Sequence, residues 1–256
     1  MTYYARFLRW FAALAAVLLL ALPANAQQST PEVRFDPAEE AAIREIIRDY
    51  LLANPEVLIE SVQAYQQRQQ MAEEEGAREA LLANRDSLDN HPSTPVLGNP
   101  EGDVVLVEFF DYRCPYCKRA AEGVRETVED DGNIRLVMKE FPILGPESVV
   151  TARMALASVK QGLYEEFHFA LMSVGNQLDE AAAFKVADKV GLDVDQLRAD
   201  MEDPEIEAEI QRNHALARTL GIRGTPSFVI GDNIIRGMID TPSMRALVSD
   251  TRKGSS

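Results

Sequence analysis

Phe109-Phe110-Asp111-Tyr112-Arg113-Cys114-Pro115-Tyr116-Cys117-Lys118-Arg119 holds both cysteines of this 256-residue chain, three positions apart. The apolar run Val104-Val105-Leu106-Val107 comes just before it, and a stretch compatible with a helix follows. A strand therefore delivers Cys114 to the start of a helix, where unpaired backbone N–H groups and the helix dipole favour a thiolate over a thiol. A stabilised thiolate is a nucleophile and a good leaving group, the two properties that thiol–disulfide exchange requires. Cys117, one helical turn on, is close enough to attack a mixed disulfide at Cys114 and release the bound protein. The pattern reads as a redox active site.

Two other uses of a CxxC pair compete with this one. A structural bridge across so short a loop constrains the unfolded chain very little. A zinc site normally needs four Cys or His ligands, and the chain adds only His91, His168 and His214, with no HxxxH-like spacing. Redox chemistry is the better reading, with no metal ligand assigned. A soft ion such as Cu(I) remains able to bind two thiolates opportunistically.

A second segment, Gly221-Ile222-Arg223-Gly224-Thr225-Pro226-Ser227-Phe228-Val229-Ile230-Gly231, opens an apolar strand on a proline. A missing backbone donor is tolerated at a first strand position. Alone, Thr-Pro is an ordinary turn signal; below a CxxC pair it gains meaning.

With both segments in view, the chain resembles the thioredoxin superfamily, and within it the DsbA-like branch of secreted thiol-disulfide oxidoreductases. Glu108 through Cys117 and Gly224-Thr225-Pro226-Ser227-Phe228 match that branch's two signatures in order, over roughly Pro95 to Thr251. The resemblance implies an α/β thioredoxin fold with a helical insertion. It also implies a cis Pro226 packed against the CxxC sulfurs, with Thr225 offering its backbone to an extended substrate peptide. Pro115 and Tyr116 then complete the substrate-binding surface, and their dipeptide tunes the reduction potential. No organic cofactor is implied.

Glu108 matches a buried acid that precedes the active site in the family. It alternates on its strand with Val105 and Val107, which directs its carboxylate inward beneath the cysteines. A desolvated carboxyl has a raised pKa and can exchange a proton with Cys117. Catalytic roles are thus expected for Cys114, Cys117 and Glu108. Lys139, at the end of the next strand, is a candidate to face that acid.

The N-terminus reads as a secretory signal: Arg6 and Arg9 precede an apolar run from Trp10 to Leu22, and Ala24-Asn25-Ala26 offers a cleavage site. That run is short for a membrane span. Removing 26 residues, two arginines among them, leaves 230 residues and moves the formal charge from −15 to −17. Export suits disulfide chemistry and places the protein in the periplasm of a Gram-negative bacterium. The acidic balance argues against nucleic acid as a partner.

Residues 27–90 are expected to form a helical arm and stalk, and 91–256 the thioredoxin domain. Ile43, Ile46, Ile47, Tyr50 and Leu51 recur at helical spacing after an Asp36-Pro37 start signal. Asn54-Pro55 breaks that helix, and Val57, Leu58 and Val62 restart the stripe. Gln66 to Arg78 is polar apart from Met71, which reads as a spacer. Such short helices lack the mass for their own core, so self-association is expected. Tyr50 through Glu60 is similar to the N-terminal segment of ScsC-type proteins, some of which trimerise and act as disulfide isomerases. The helical insertion is expected over about 147–220, with helical patterns at Val150, Met154 and Ala157, then over Leu163 to Val174, Phe184 to Val190 and Leu197 to Leu220. A hairpin follows over Ser227–Ile230 and Ile234–Met238, then a final helix from Thr241.

The sequence thus points to a periplasmic thiol:disulfide interchange protein acting on unfolded or misoxidised exported proteins as a homo-oligomer, for which the ScsC-type resemblance implies a trimer. An isomerase implies a DsbD-like membrane reductase as partner. A DsbA-type oxidase, recharged by a DsbB-like partner, is the alternative. A Cu(I)-binding or chaperone module without redox turnover is a further one.

Overall fold

The structure, a computed structural model, describes residues 35–175 and 178–254. The secretory signal expected at 1–26 lies outside the described residues. The chain divides into a first unit ending at Gln63 and a second starting at Ala64.

In the first unit, α1 (Pro37–Ala53) starts as its sequence dictates. The Asp36 carboxylate accepts the N–H groups of Ala38 and Glu39 at 2.8 and 2.9 Å, and Glu39 accepts the Asp36 N–H at 2.9 Å. This capping box is reinforced by Pro37 at the first helical position. Asn54, held out of the helical region by Pro55, ends the helix. Then α2 (Glu56–Ala83) begins and continues into the second unit. Ile43, Ile46, Ile47 and Tyr50 of α1 are exposed, as are Leu58, Ile59 and Val62 of α2.

The second unit is built on five strands: β1 (Val96–Gly98), β2 (Val104–Phe110), β3 (Ile134–Glu140), β4 (Ser227–Ile230) and β5 (Asn233–Arg236). Their order is β1-β3-β2-β4-β5. Only β2 and β3 run parallel, joined through α4 (Pro115–Asp131); the other pairs are antiparallel. Side chains alternate across this sheet, and both faces are covered. Leu106, Phe110, Met138 and Phe228 share one core with α4, whereas Val107, Phe109, Val137 and Val229 share the other with Leu216 and Leu220.

That second core also takes in Leu81 of α2 and Leu88 of α3 (Arg85–Asp89). The polar stretch Gln66–Arg78 is therefore a spacer only in part. Met71 is exposed, but Ala77 is buried, and Leu81 four residues on seats the end of the helix in the core. Composition reported the polar faces and missed that two apolar residues one turn apart suffice to anchor a helix end.

Between β3 and β4 the described residues hold α5 (Pro146–Ser158), α6 (Tyr164–Ser173), α7 (Glu180–Val190), α8 (Val194–Asp200) and α9 (Pro204–Thr219). The helical pattern from Leu197 to Leu220 is two helices, not one. Pro204 has no N–H to continue α8, and Asp203 caps α9 by accepting the Glu205 N–H at 2.9 Å. The final helix, α10, spans Thr241–Gly254.

Candidate active site

Strand β2 ends at Phe110, and a short turn closed by the Cys114 N–H on the Asp111 carbonyl (3.0 Å) delivers Cys114 to the N-cap of α4. Pro115 occupies the first helical position, where no N–H is needed. Both cysteines are free thiols. The Cys114 sulfur accepts the Cys117 N–H at 3.4 Å, and Cys114 Sγ lies 3.3 Å from the carbonyl oxygen of Thr225.

These surroundings separate the two thiols. A hydrogen bond from the Cys117 side chain, helped by Thr225 and the backbone N–H groups of Cys117 and Tyr116, outweighs burial and lowers the Cys114 pKa to about 5. Cys117 is pushed far the other way, first by burial, then by its bond to Cys114 and by the nearby Glu108. At neutral pH one sulfur is a thiolate and its neighbour holds its proton.

Glu108 is buried on the same sheet face as the cysteines, between Met138 and Phe228 on the flanking strands. Burial first, and the charge of Cys114 second, raise its pKa to about 8. Lys139 does not face it. Lys139 is in register with Phe109 rather than Glu108, which puts it on the opposite face. There its ammonium donates to Thr94 Oγ1 at 2.9 Å and to the Ser87 carbonyl at 3.3 Å. Burial lowers its pKa to about 8 against the pull of Glu209 and Asp89.

The Thr225–Pro226 peptide bond is cis. The structure brings the Thr225 carbonyl against Cys114 from the β4 side, with Pro226 next in the chain, while Pro115 and Tyr116 stand exposed beside Cys114. The Arg119 guanidinium lies over the Tyr116 ring, 4.4 Å from its centroid.

Two buried groups near the site escaped sequence reading. Asp111 accepts four hydrogen bonds: from the N–H groups of Arg113 (2.8 Å), Ile143 (2.8 Å) and Leu144 (3.0 Å), and from the Ser148 hydroxyl (2.9 Å). It ties the cysteine turn to the loop after β3. Glu140 accepts the hydroxyls of Tyr112 (2.9 Å) and Tyr164 (3.0 Å), and burial lifts its pKa well above the carboxylate range. Tyr112 also meets His168 Nδ1 at 3.0 Å, and burial drops His168 to about 3. His91 pairs with Glu209 at 3.3 Å, and His214 packs on Phe141. Among the described residues no group of three or more His, Cys, Asp or Glu is arranged to hold a metal ion.

Comparison with known proteins places this geometry. The DSBA-like thioredoxin domain family matches residues 105–249, and the copper resistance protein ScsC N-terminal domain matches residues 39–72. A thioredoxin-like oxidoreductase from Silicibacter pomeroyi DSS-3 is 51% identical over 66% of this chain and 98% of its own, with a TM-score of 0.65. ScsC of Proteus mirabilis, in a transitional conformation, is 30% identical over 86% of this chain and 98% of its own, with a TM-score of 0.64. A periplasmic thioredoxin-like protein from Salmonella enterica serovar Typhimurium is 27% identical over 66% of this chain and 95% of its own, at a TM-score of 0.61. This chain spans about a quarter of the length of the first curated relatives it matches, Na(+)/H(+) antiporters 29 and 30% identical to it. Among its own described residues, no helix is long and apolar enough to cross a membrane. A family match over more than half of the chain, with 51% identity across nearly all of the Silicibacter protein, makes this chain a member of the DSBA-like thioredoxin family.

Proposed function

We propose that the protein is an exported thiol:disulfide oxidoreductase that reduces or isomerises disulfides in other exported proteins. The observation that carries this reading is the split between the thiols: Cys114 lowered to about 5, Cys117 raised and buried behind it. The Cys114 thiolate attacks one sulfur of a client disulfide, forming a Cys114–client disulfide and releasing the other client sulfur as a thiolate. In isomerisation, a client thiolate then attacks the mixed disulfide, forms a new client disulfide and frees Cys114, with no net change in oxidation. In reduction, Cys117 attacks the Cys114 sulfur instead. The Cys114–Cys117 disulfide forms, the client leaves as a thiol, and two electrons have passed to it. Thr225, Pro226, Pro115 and Tyr116 hold the client beside Cys114.

Glu108 is the proton acceptor for Cys117. The Cys114 charge helps raise its pKa, and that charge disappears in the mixed disulfide. Glu108 then ionises more readily, just when Cys117 must lose its proton. Glu108→Gln is expected to slow client release by about 10²-fold while leaving the first attack intact. Quenched-flow measurement of the mixed disulfide checks this. The wild-type release rate should rise with pH and level off below 8, because the Cys114 charge no longer contributes in the mixed disulfide, and the variant should lack that rise.

The exposed apolar faces of α1 and early α2, within the ScsC-type segment, support a homo-oligomer, with a trimer as the form the ScsC-type resemblance implies. Oligomerisation favours isomerase, because it shields the sites from an oxidising membrane partner and presents several to one client. The leader sequence supports the periplasm, with a DsbD-like reductase as partner. A DsbA-type disulfide donor is the second reading. It is favoured by Cys114 itself, because a stable thiolate leaves a mixed disulfide readily and makes the oxidised site a strong oxidant. Scrambled ribonuclease separates the two. Residues 27–256 should restore its activity, and a truncation starting at Ala64, which retains Leu81 and Leu88, should not. If both forms only oxidise reduced ribonuclease, the protein is a disulfide donor.

A further inference from the structure

The chain is strongly acidic, with 41 Asp and Glu against 26 Lys and Arg, yet the mouth of its cysteine site is not. The segments that form it, residues 111–119 and 221–226, carry Arg113, Lys118, Arg119 and Arg223. Their one acid, Asp111, is buried with its carboxylate filled by hydrogen bonds. Two of the four cations are committed: Arg113 to Glu147 at 2.9 Å, and Lys118 to the carbonyls of Val174 and Gly175.

Arg119 and Arg223 are exposed, and neither has a carboxylate partner among the described residues. Arg119 rests on the Tyr116 ring, itself 53% exposed, which holds the guanidinium plane and leaves its edge donors for a ligand. Arg223 precedes by two residues Thr225, whose carbonyl lies 3.3 Å from Cys114 Sγ, and two residues span at most about 7 Å. Arg223 also lines a cleft with Arg218 and Arg236 that has Glu73 and Glu74 on its α2 wall. A polypeptide held at Cys114 therefore has two guanidinium groups without carboxylate partners near it, Arg119 beside Tyr116 and Arg223 two residues before Thr225.

We propose that this mouth is a docking surface for extended polypeptides that carry Asp or Glu within a few residues of their cysteine, with Arg119 and Arg223 as the selecting residues. The inference rests on the oxidoreductase reading above. The negative charge of the whole chain does not cancel the effect. Screening over about 8 Å at physiological salt leaves a docked carboxylate governed by the nearest charges. A guanidinium binds a carboxylate through two parallel hydrogen bonds, so the mouth adds geometry to attraction.

The test uses the mature protein, residues 27–256, oxidised at Cys114–Cys117, and two cysteine peptides that differ only in Asp and Glu against Asn and Gln around the cysteine. Stopped-flow exchange rates are divided by each peptide's rate with 2-hydroxyethyl disulfide, an uncharged reference, which removes differences in thiol reactivity. The acidic peptide should react about tenfold faster at physiological ionic strength, with the advantage shrinking as salt is raised further. Arg119→Glu and Arg223→Glu, with unchanged thermal melts marking them as folded, should each cut or reverse that advantage. Equal normalised rates for the two peptides on the wild type would overturn the proposal, as would an advantage that survives in both variants. If neither peptide exchanges at all, the oxidoreductase reading fails and the proposal falls with it.

Discussion

Cys114→Ser is expected to abolish disulfide reduction and isomerisation, lowering the rate on the order of 10³-fold or more, while Cys117→Ser should leave the first attack intact and trap clients on the protein. The difference follows from the environments of the two sulfurs. Hydrogen bonds from the Cys117 side chain and the first turn of α4 hold Cys114 as a thiolate, and a serine hydroxyl with the same partners stays protonated. Cys117 is enclosed behind Cys114 and holds its proton, so it contributes only after a mixed disulfide exists. Non-reducing gels of Cys117→Ser mixed with a disulfide-bonded client should show a covalent adduct that reductant removes. The double variant should show none. Adducts formed by Cys114→Ser instead would assign the nucleophile to Cys117.

The second large effect lies on the far face of the sheet. Glu209 of α9 is buried; it accepts the Thr94 hydroxyl and the Arg212 guanidinium (3.0 Å), and it supplies the main negative charge near Lys139. Lys139 in turn donates to Thr94 and to the carbonyl of Ser87 in α3. Glu209→Leu leaves a buried ammonium without that counter-charge, a loss of about 3–5 kcal/mol, or a melting temperature lower by about 10 °C for a domain of this size. Lys139→Met combined with Glu209→Leu should recover most of it, because removing both charges also removes the cost of desolvating them. Thermal melts of the two single variants and the pair measure the coupling. A Glu209→Leu melt within 2–4 °C of wild type, about 1 kcal/mol, would mean the cluster is solvated rather than clasped.

The site was legible where its signals are local. Cys114, Cys117 and the strand before them lie within fourteen residues, and Gly224 through Phe228 supplied the second signature. Glu108 was reachable because strand alternation fixes which face a residue occupies. The same alternation, applied across β2 and β3 with their register, sends Lys139 to the opposite face, but register between two strands cannot be read from one of them. Thr94 and Glu209 meet across 115 positions, and Asp111 meets Ser148 across 37, contacts that only the folded chain creates. The break between α8 and α9 was within reach. Asp203-Pro204 repeats the Asp-Pro start signal that was read correctly at Asp36-Pro37, masked by apolar residues continuing on both sides.

The most direct test of the account is the pH dependence of alkylation in the reduced protein, resolved for each cysteine by mass spectrometry. A Cys114 midpoint near 5, with Cys117 unmodified across the neutral range, is the expected result. A Cys114 midpoint near the ordinary thiol value of about 8.5, or equal labelling of the two cysteines, would contradict it.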